Sequence, residues 1–273
     1  MTLEDILVLK LGGSLLTDKS TPYKLKEKVL EAVVTEIKEC IDLGLIKSLV
    51  IVHGVGSFGH PPVLQYNLHK GFKEKDQLIS MSKTQQIVNG FRKTIASKFL
   101  DKGIPINLMH ASSMVVGNKM AIIDHAFESL KGFLSLGMVP LIGGDMMYDN
   151  SMGFSVCGGD QIAVVLSRAL DAKHLIFATD VLGVFDKDPK SRENAQLLRE
   201  ININEIEKII SKSNQSTKTD ATGKMRGKLL SLASIKDLIQ ECLDVAILSM
   251  SKMNVLKNYL RGEENELTKI IYN

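Results

Sequence analysis

The feature that most constrains this chain is a recurring pair: a short apolar run closed by glycine, then a segment of helical period. Ile6 to Leu11 (ILVLKL) is such a run, ended by Gly12-Gly13, as expected for a buried strand entering a tight loop. The lysine inside it, Lys10, is unusual. From Lys26 to Leu43 the apolar residues Val29, Leu30, Val33, Val34, Ile37 and Ile41 return at helical spacing, with Gly44 as the expected C-cap. Leu49-Val50-Ile51-Val52 then reads as a second buried strand. Strand, helix and strand within about fifty residues form a βαβ unit, which implies a parallel sheet with a right-handed crossover.

The alternation continues. Helix is predicted over Gln77 to Leu100, Phe127 to Leu136, Gln161 to Leu170 and Lys228 to Gln240; strand is predicted over Ile104 to Met109, Val139 to Ile142, Leu175 to Ala178 and Val245 to Leu248. This pattern predicts an open, mostly parallel sheet in an α/β/α sandwich. Ser211 to Lys228, the least apolar stretch, is expected to be a loop. No repeat of solenoid period and no Pro-rich or Gly-rich linker divides the chain, so a single domain over 1–273 is expected.

Composition narrows the function classes. With 44% hydrophobic and 24% charged residues, neither disorder nor a fibrous fold is indicated. Lys+Arg 34 against Asp+Glu 31 gives a net charge of +3, and the signs are interleaved, so nucleic acid is not an expected partner. Cys40, Cys157 and Cys242 are odd in number, far apart and free of any CxxC, which argues against a disulfide framework or a zinc site and for a reducing, cytoplasmic setting. The start, Met1-Thr2-Leu3-Glu4-Asp5, lacks a basic signal-type region. No run approaches the roughly 18 apolar residues of a membrane span, so no membrane partner is expected.

In open parallel sheets, ligands collect beyond the C-terminal ends of the strands, and five loops there carry chemistry. Lys10-Leu11-Gly12-Gly13-Ser14, followed by Thr17-Asp18-Lys19, offers backbone N–H groups and a fixed positive charge to a phosphate. A glycine turn beside a snorkelling lysine would look the same, and the pattern is neither a Walker A nor a GxGxxG fingerprint. His53-Gly54-Val55-Gly56-Ser57-Phe58-Gly59-His60-Pro61-Pro62 is a second anion cradle, in which His60 could donate to a bound oxyanion and His53 belongs to the strand. Cys157-Gly158-Gly159-Asp160 leads into a helix, where Asp160 either caps it or holds phosphate-binding lysines. Ala178 to Val184, with Asp180, and Thr222 to Lys228, with Lys224, complete the set. Five glycine-bearing strand-end loops with lysines point to an enzyme that handles anions.

These motifs, in order, resemble those of the amino acid kinase superfamily, from about residue 6 to the C-terminal strand, essentially the whole chain. Thr17-Asp18-Lys19 together with Gly56-Ser57-Phe58-Gly59-His60-Pro61 resembles the isopentenyl phosphate kinases within it. The resemblance implies the amino acid kinase fold, with an acceptor-binding lobe over about 1–170 and a nucleotide-binding lobe over about 171–273. It implies ATP and Mg²⁺ as cofactors, isopentenyl phosphate and dimethylallyl phosphate as acceptors, and a homodimer. Catalytic roles would fall to Lys10, Lys19, His60, Asp160 and Lys228. ATP would be held by Lys10, Leu11, Gly12, Gly13, Ser14, Gly56, Asp180, Lys224 and Lys228. Gly54, Val55, Gly59, His60 and Gly159 would hold the acceptor phosphate, and no resident metal site is implied. The helix over Gln77 to Leu100 would place Ile79, Ile87 and Phe91 where they could cover a hydrocarbon tail, although packing into the core is the expected role for most of them. Two positions depart from the family pattern: Val55 stands at a usual third glycine, and Lys224 at a usual glycine before Met225.

Three rival readings remain at this level. A relative sharing the loop histidine could phosphorylate another oxyanion, such as the phosphonate of fosfomycin, because phosphate-binding glycines do not report the rest of the acceptor. A carboxylate kinase, for acetylglutamate or glutamate, would leave His60 without a purpose. A catalytically silent nucleotide-binding regulator would not need Lys10, Lys19, Asp160 and Lys228 together.

Overall fold

The computed structural model describes residues 3–187, 195–213 and 220–273, apart from the side chains of 211–213 and 220–224. Its strands are β1 (Ile6–Leu11), β2 (Ser48–His53), β3 (Ile106–Leu108), β4 (Val115–Asn118), β5 (Ala121–His125), β6 (Val139–Gly143), β7 (Asp145–Asp149), β8 (Gly153–Cys157), β9 (His174–Thr179), β10 (Glu200–Asn202), β11 (Asp244–Ser249) and β12 (Thr268–Ile271). Its helices are α1 (Gly13–Leu16), α2 (Glu27–Asp42), α3 (Gly56–Gln65), α4 (Asp76–Asp101), α5 (Glu128–Ser135), α6 (Gly159–Ala169), α7 (Ile206–Ser213), α8 (Asp220–Ala233), α9 (Lys236–Gln240) and α10 (Val255–Leu260).

Among the described residues, eight strands form one sheet in the order β10-β12-β11-β9-β1-β2-β6-β3. Only the β11–β12 pair is antiparallel, and the expected α/β/α sandwich is observed. β1 lies at the centre and is buried along its whole length. Because strand side chains alternate between faces, Leu7, Leu9 and Leu11 join the core under α2, α4 and α10. Ile6 and Val8 join the opposite core, formed with α5, α6, α7 and α8. The same parity sends Lys10 toward the face of α6 and α8.

Register aligns the strand ends that matter. Leu11 is level with His53 of β2 and Ala178 of β9, and His53 is level with Gly143 of β6. The loops leaving β1, β2, β6 and β9 therefore emerge side by side.

Three local expectations are corrected. The glycine-rich stretch after β2 is not a loop but the start of α3, with Pro61 and Pro62 inside the helix. The expected loop over Ser211 to Lys228 is helical where it is described, ending α7 and forming the first turns of α8; residues 214–219 lie outside the described residues. Lys228 thus stands well inside α8 rather than at its start, since Lys, Met and Arg favour helix and an isolated glycine costs only about 1 kcal/mol. The predicted strand over Ile104 to Met109 contracts to the three residues of β3.

A second sheet, in the order β5-β4-β7-β8, is absent from the sequence reading. Lys119 and Met120, in the β4–β5 turn, both have positive φ (50° and 68°), a conformation usually marked by Asn-Gly. Asp149 supplies what those side chains cannot. Its wholly buried carboxylate accepts from the amides of Lys119 (3.1 Å) and Met120 (2.8 Å) in one turn, and from Ser151 (3.0 Å) and Met152 (2.9 Å) in the β7–β8 turn. Ser155 Oγ donates a fifth bond at 2.8 Å. Burial pushes the Asp149 carboxyl up, but these donors outweigh it and bring the pKa down to about 2. No helix among the described residues is long and apolar enough to cross a membrane.

Asp149→Ala removes the acceptor shared by four turn amides and leaves the buried Ser155 hydroxyl without it. A loss of about 2–4 kcal/mol is expected, read as a lower urea midpoint. An unchanged midpoint would show that the two turns hold without the carboxylate.

Candidate active site

The aligned strand ends open into a cleft of about 1030 Å³. Lys10, Gly13, Ser14, Lys19, Gly54, Val55, Gly56, Gly59, His60, Gly159, Asp160, Asp180 and Lys228 all line it. Leu11 and Gly12 do not. The Leu11 side chain is wholly buried in the core, and the Gly12 amide donates to Ala178 O at 2.8 Å, fastening β1 to β9. The side chain of Lys224 lies outside the described residues.

The charged centre is built from three elements. Lys10 Nζ of β1 lies 2.6 Å from Asp160 Oδ1 at the start of α6, and Lys228 Nζ of α8 lies 3.2 Å from the same oxygen. Both lysines are buried, at 7% and 4% exposure. Burial would raise the Asp160 carboxyl, but the ammonium groups of Lys10 and Lys228 hold it well below the ordinary carboxylate range. Burial pulls Lys228 down to about 8; Asp160 opposes that shift and Lys10 adds to it. Lys228 Nζ also stands 4.2 Å from the ring centroid of Phe177, the residue beside Lys10 on β9. Two cations on one carboxylate leave an excess positive charge in a recess, which an anion would neutralise.

Around this centre the loops touch backbone to backbone. A Cβ on Gly13 would lie 2.5 Å from Gly56 N, and Gly56 itself has φ +49°, so both positions require glycine. Val55 has helical φ and ψ (−79°, −20°), which a branched residue adopts freely. Its side chain packs toward Gly59 and Gly144, and its departure from the family glycine is therefore accommodated. Ser14 Oγ donates to Asp180 Oδ1 at 2.6 Å. Burial raises the Asp180 carboxyl, and the Ser14 hydroxyl with Lys19 and Lys26 brings it below its ordinary value.

The cleft has two ends. One runs between the 179–187 segment and α8, where Val184, Phe185, Ile209, Met225 and Leu229 line it. The other lies under α3 and α4, with His60 at its mouth and Val63, Thr84, Gln85, Val88, Met146 and Val156 as its wall. Ile79, Ile87 and Phe91, the candidates for that wall, do not line it. Ile79 is 63% exposed, and Phe91 is buried, stacked on Phe58 at 4.4 Å. The lining face of α4 is instead that of Thr84, Gln85 and Val88, and Met146 and Val156 come from the unforeseen second sheet. Their only sequence signal was the apolar alternation within 145–157. His53 is structural as expected: it is wholly buried, accepts from Arg92 Nε at 2.9 Å, and is held neutral first by burial and then by the Arg92 charge.

Residues 5–240 match the Amino acid kinase family. An isopentenyl phosphate kinase of Methanocaldococcus jannaschii is 32% identical over 240 residues, covering 82% of this chain and 85% of its own. That of Methanothermobacter thermautotrophicus is 30% identical over 273 residues, covering 97% and 98%. The chain belongs to the amino acid kinase family, among the isopentenyl phosphate kinases. A solved isopentenyl phosphate kinase superposes with a TM-score of 0.81 at 28% identity, over 97% of this chain and 99% of that one. The resemblance drawn from the motifs and the expected fold are thereby borne out. Members of such a family move phosphoryl groups, a chemistry governed by positioning and by stabilisation of spread negative charge.

Lys228 is charged below about pH 8 and loses its proton above it. Since kcat/KM reports the free enzyme, kcat/KM for ATP is expected to fall as pH rises through this range, and Lys228→Arg, which keeps its charge, is expected to move the fall to higher pH. A profile that stays flat into the ordinary lysine range would remove Lys228 from the titrating machinery.

Proposed function

We propose that this chain transfers the γ-phosphoryl group of ATP to the phosphate of isopentenyl phosphate, giving isopentenyl diphosphate and ADP. The observation that carries the reading is the paired-lysine centre at the junction of a two-ended cleft, with a histidine and an apolar wall on one side. The names of the relatives support the same acceptor.

In this reading ATP lies along the 179–187 and α8 side, its phosphates on Gly13, Ser14 and Gly56. The acceptor phosphate sits on Gly54, Val55, Gly59, His60 and Gly159, its hydrocarbon tail against Val63, Val88, Met146 and Val156. An anionic oxygen of the acceptor attacks the γ-phosphorus as the bond to the β-bridging oxygen breaks, so no general base is needed. Lys10 and Lys228 neutralise the group in flight from two sides, Lys19 adds charge from the loop after α1, and Asp160 holds the two buried lysines together and aimed. Asp160 is engaged by two ammonium groups and Asp180 by the Ser14 hydroxyl, so neither stands open as a ligand for a resident Mg²⁺ ion. That fits an ion carried in by the nucleotide, where it would neutralise charge on the triphosphate. Dimethylallyl phosphate, of the same size and charge, fits as a second acceptor. A homodimer and a cytoplasmic setting belong to the same reading.

The test is ADP release with isopentenyl phosphate, dimethylallyl phosphate, fosfomycin, UMP and acetylglutamate. Isopentenyl phosphate is expected to give the highest kcat/KM, and a higher value for UMP or fosfomycin would reassign the acceptor. His60 is exposed on α3, so His60→Ala, a good helix former, leaves the fold intact. It is expected to lose about 2–4 kcal/mol of transition-state stabilisation, the scale of one preorganised oxyanion donor, while His60→Gln retains part of it and ATP affinity stays unchanged. Wild-type kcat/KM in His60→Ala would make the histidine structural.

A further inference from the structure

Pro61 is a misfit that the proposed reaction does not use. A proline inside a helix removes the amide that would bond the carbonyl four residues earlier, and for Pro61 that carbonyl belongs to Ser57. In this chain the Ser57 carbonyl is taken by a different partner: the amide of Tyr23 donates to it at 3.2 Å. Tyr23 lies in the segment that carries Lys19 into the cleft.

That segment is held to α3 by further contacts on the same residue and its neighbour. The amide of Ser57 donates to Thr17 Oγ1 at 3.0 Å, and Thr17 Oγ1 in turn donates to Gly13 O at 2.7 Å. Thr17 and Leu25 bridge across the base of the segment, and the Asp18 amide donates to Lys24 O at 3.0 Å. The Tyr23 ring meets Phe58 edge-on at 6.1 Å, and Phe58 is stacked on Phe91 in the core. Tyr23 also holds φ +58°, an unfavourable conformation for a bulky side chain that needs tertiary contacts to persist. The segment between Thr17 and Leu25 is thus clasped onto the helix that carries His60, and Ser57 receives it with both its amide and its carbonyl.

We infer that Pro61 is a positioning residue: by leaving the Ser57 carbonyl without a helical partner, it reserves that oxygen for the Tyr23 amide and so fixes the Lys19 segment against the His60 helix. Pro62 provides an internal control. It would free the carbonyl of Phe58 in the same way, yet no loop amide among the described residues bonds to that oxygen. The inference rests on the reading that Lys19 acts on the transferring group, and its test separates the two.

Pro61→Ala restores an amide that competes for Ser57 O without weakening the helix, so the variant folds. Amide hydrogen exchange at Tyr23, read by NMR, is expected to accelerate about five-fold or more in Pro61→Ala, the scale of one lost hydrogen bond, and to stay at the wild-type rate in Pro62→Ala. Turnover is expected to fall by a similar factor in Pro61→Ala, to be unchanged in Pro62→Ala, and to show no further fall when Pro61→Ala is added to Lys19→Ala. Equal exchange at Tyr23 in wild type and Pro61→Ala, equal effects of the two proline variants, or losses that multiply in the Lys19→Ala background would each overturn the inference. Should Lys19→Ala alone keep full turnover, the role given to Lys19 fails, and exchange at Tyr23 still decides whether the clasp exists.

Discussion

The shared ion pair of Lys10, Asp160 and Lys228 is the interaction on which the arrangement of this molecule turns. Two buried ammonium groups repel each other and are costly to desolvate, and they persist together because one carboxylate faces both, at 2.6 and 3.2 Å. Each member comes from a different element: the central strand β1, the first turn of α6, and the interior of α8. Helix and strand packing on one face of the sheet therefore has to be correct before the centre exists. Lys10 reaches that face only by the alternation of β1, between two leucines committed to the other core.

The rest of the cleft lining bounds the space around this centre. The segments after β1 and β2 approach so closely that glycine is required at Gly13 and Gly56. The wall under α4 depends on the second sheet, and the two turns of that sheet are pinned by one buried carboxylate, Asp149. A residue far from the chemistry thereby sets the shape of the apolar end.

Much of this was legible in the sequence, for physical reasons. Strands buried on both faces read as uninterrupted apolar runs, and helices packed on one face, such as α2 and α6, show their period plainly. Hence six of the eight strands of the main sheet and most of the candidate site residues could be found, whereas the short edge strands β10 and β12 were not. What was missed lacked a local signal. The β4–β5 turn places Lys119 and Met120 at positive φ without Asn or Gly, relying on Asp149 from another strand. Pro61 and Pro62 argued against a helix at α3, yet the carbonyl freed by Pro61 is satisfied from outside by Tyr23. α4 packs along more than one face, so its apolar residues did not reveal which face lines the cleft, and Phe91 went to the core while Thr84, Gln85 and Val88 faced inward. Leu11 was read with its motif, although the parity that points Lys10 at the cleft turns Leu11 away.

The central claim is that Asp160 holds two buried lysines charged and together for phosphoryl transfer, and the most direct measurement is the pH dependence of kcat/KM for ATP in Asp160→Asn. Asparagine keeps the size and removes the charge that opposes deprotonation of Lys228. The alkaline fall is expected to move below the wild-type position, with kcat lowered at least about tenfold because the lysines are no longer held. An alkaline limb in its wild-type place, with turnover retained, would contradict the account.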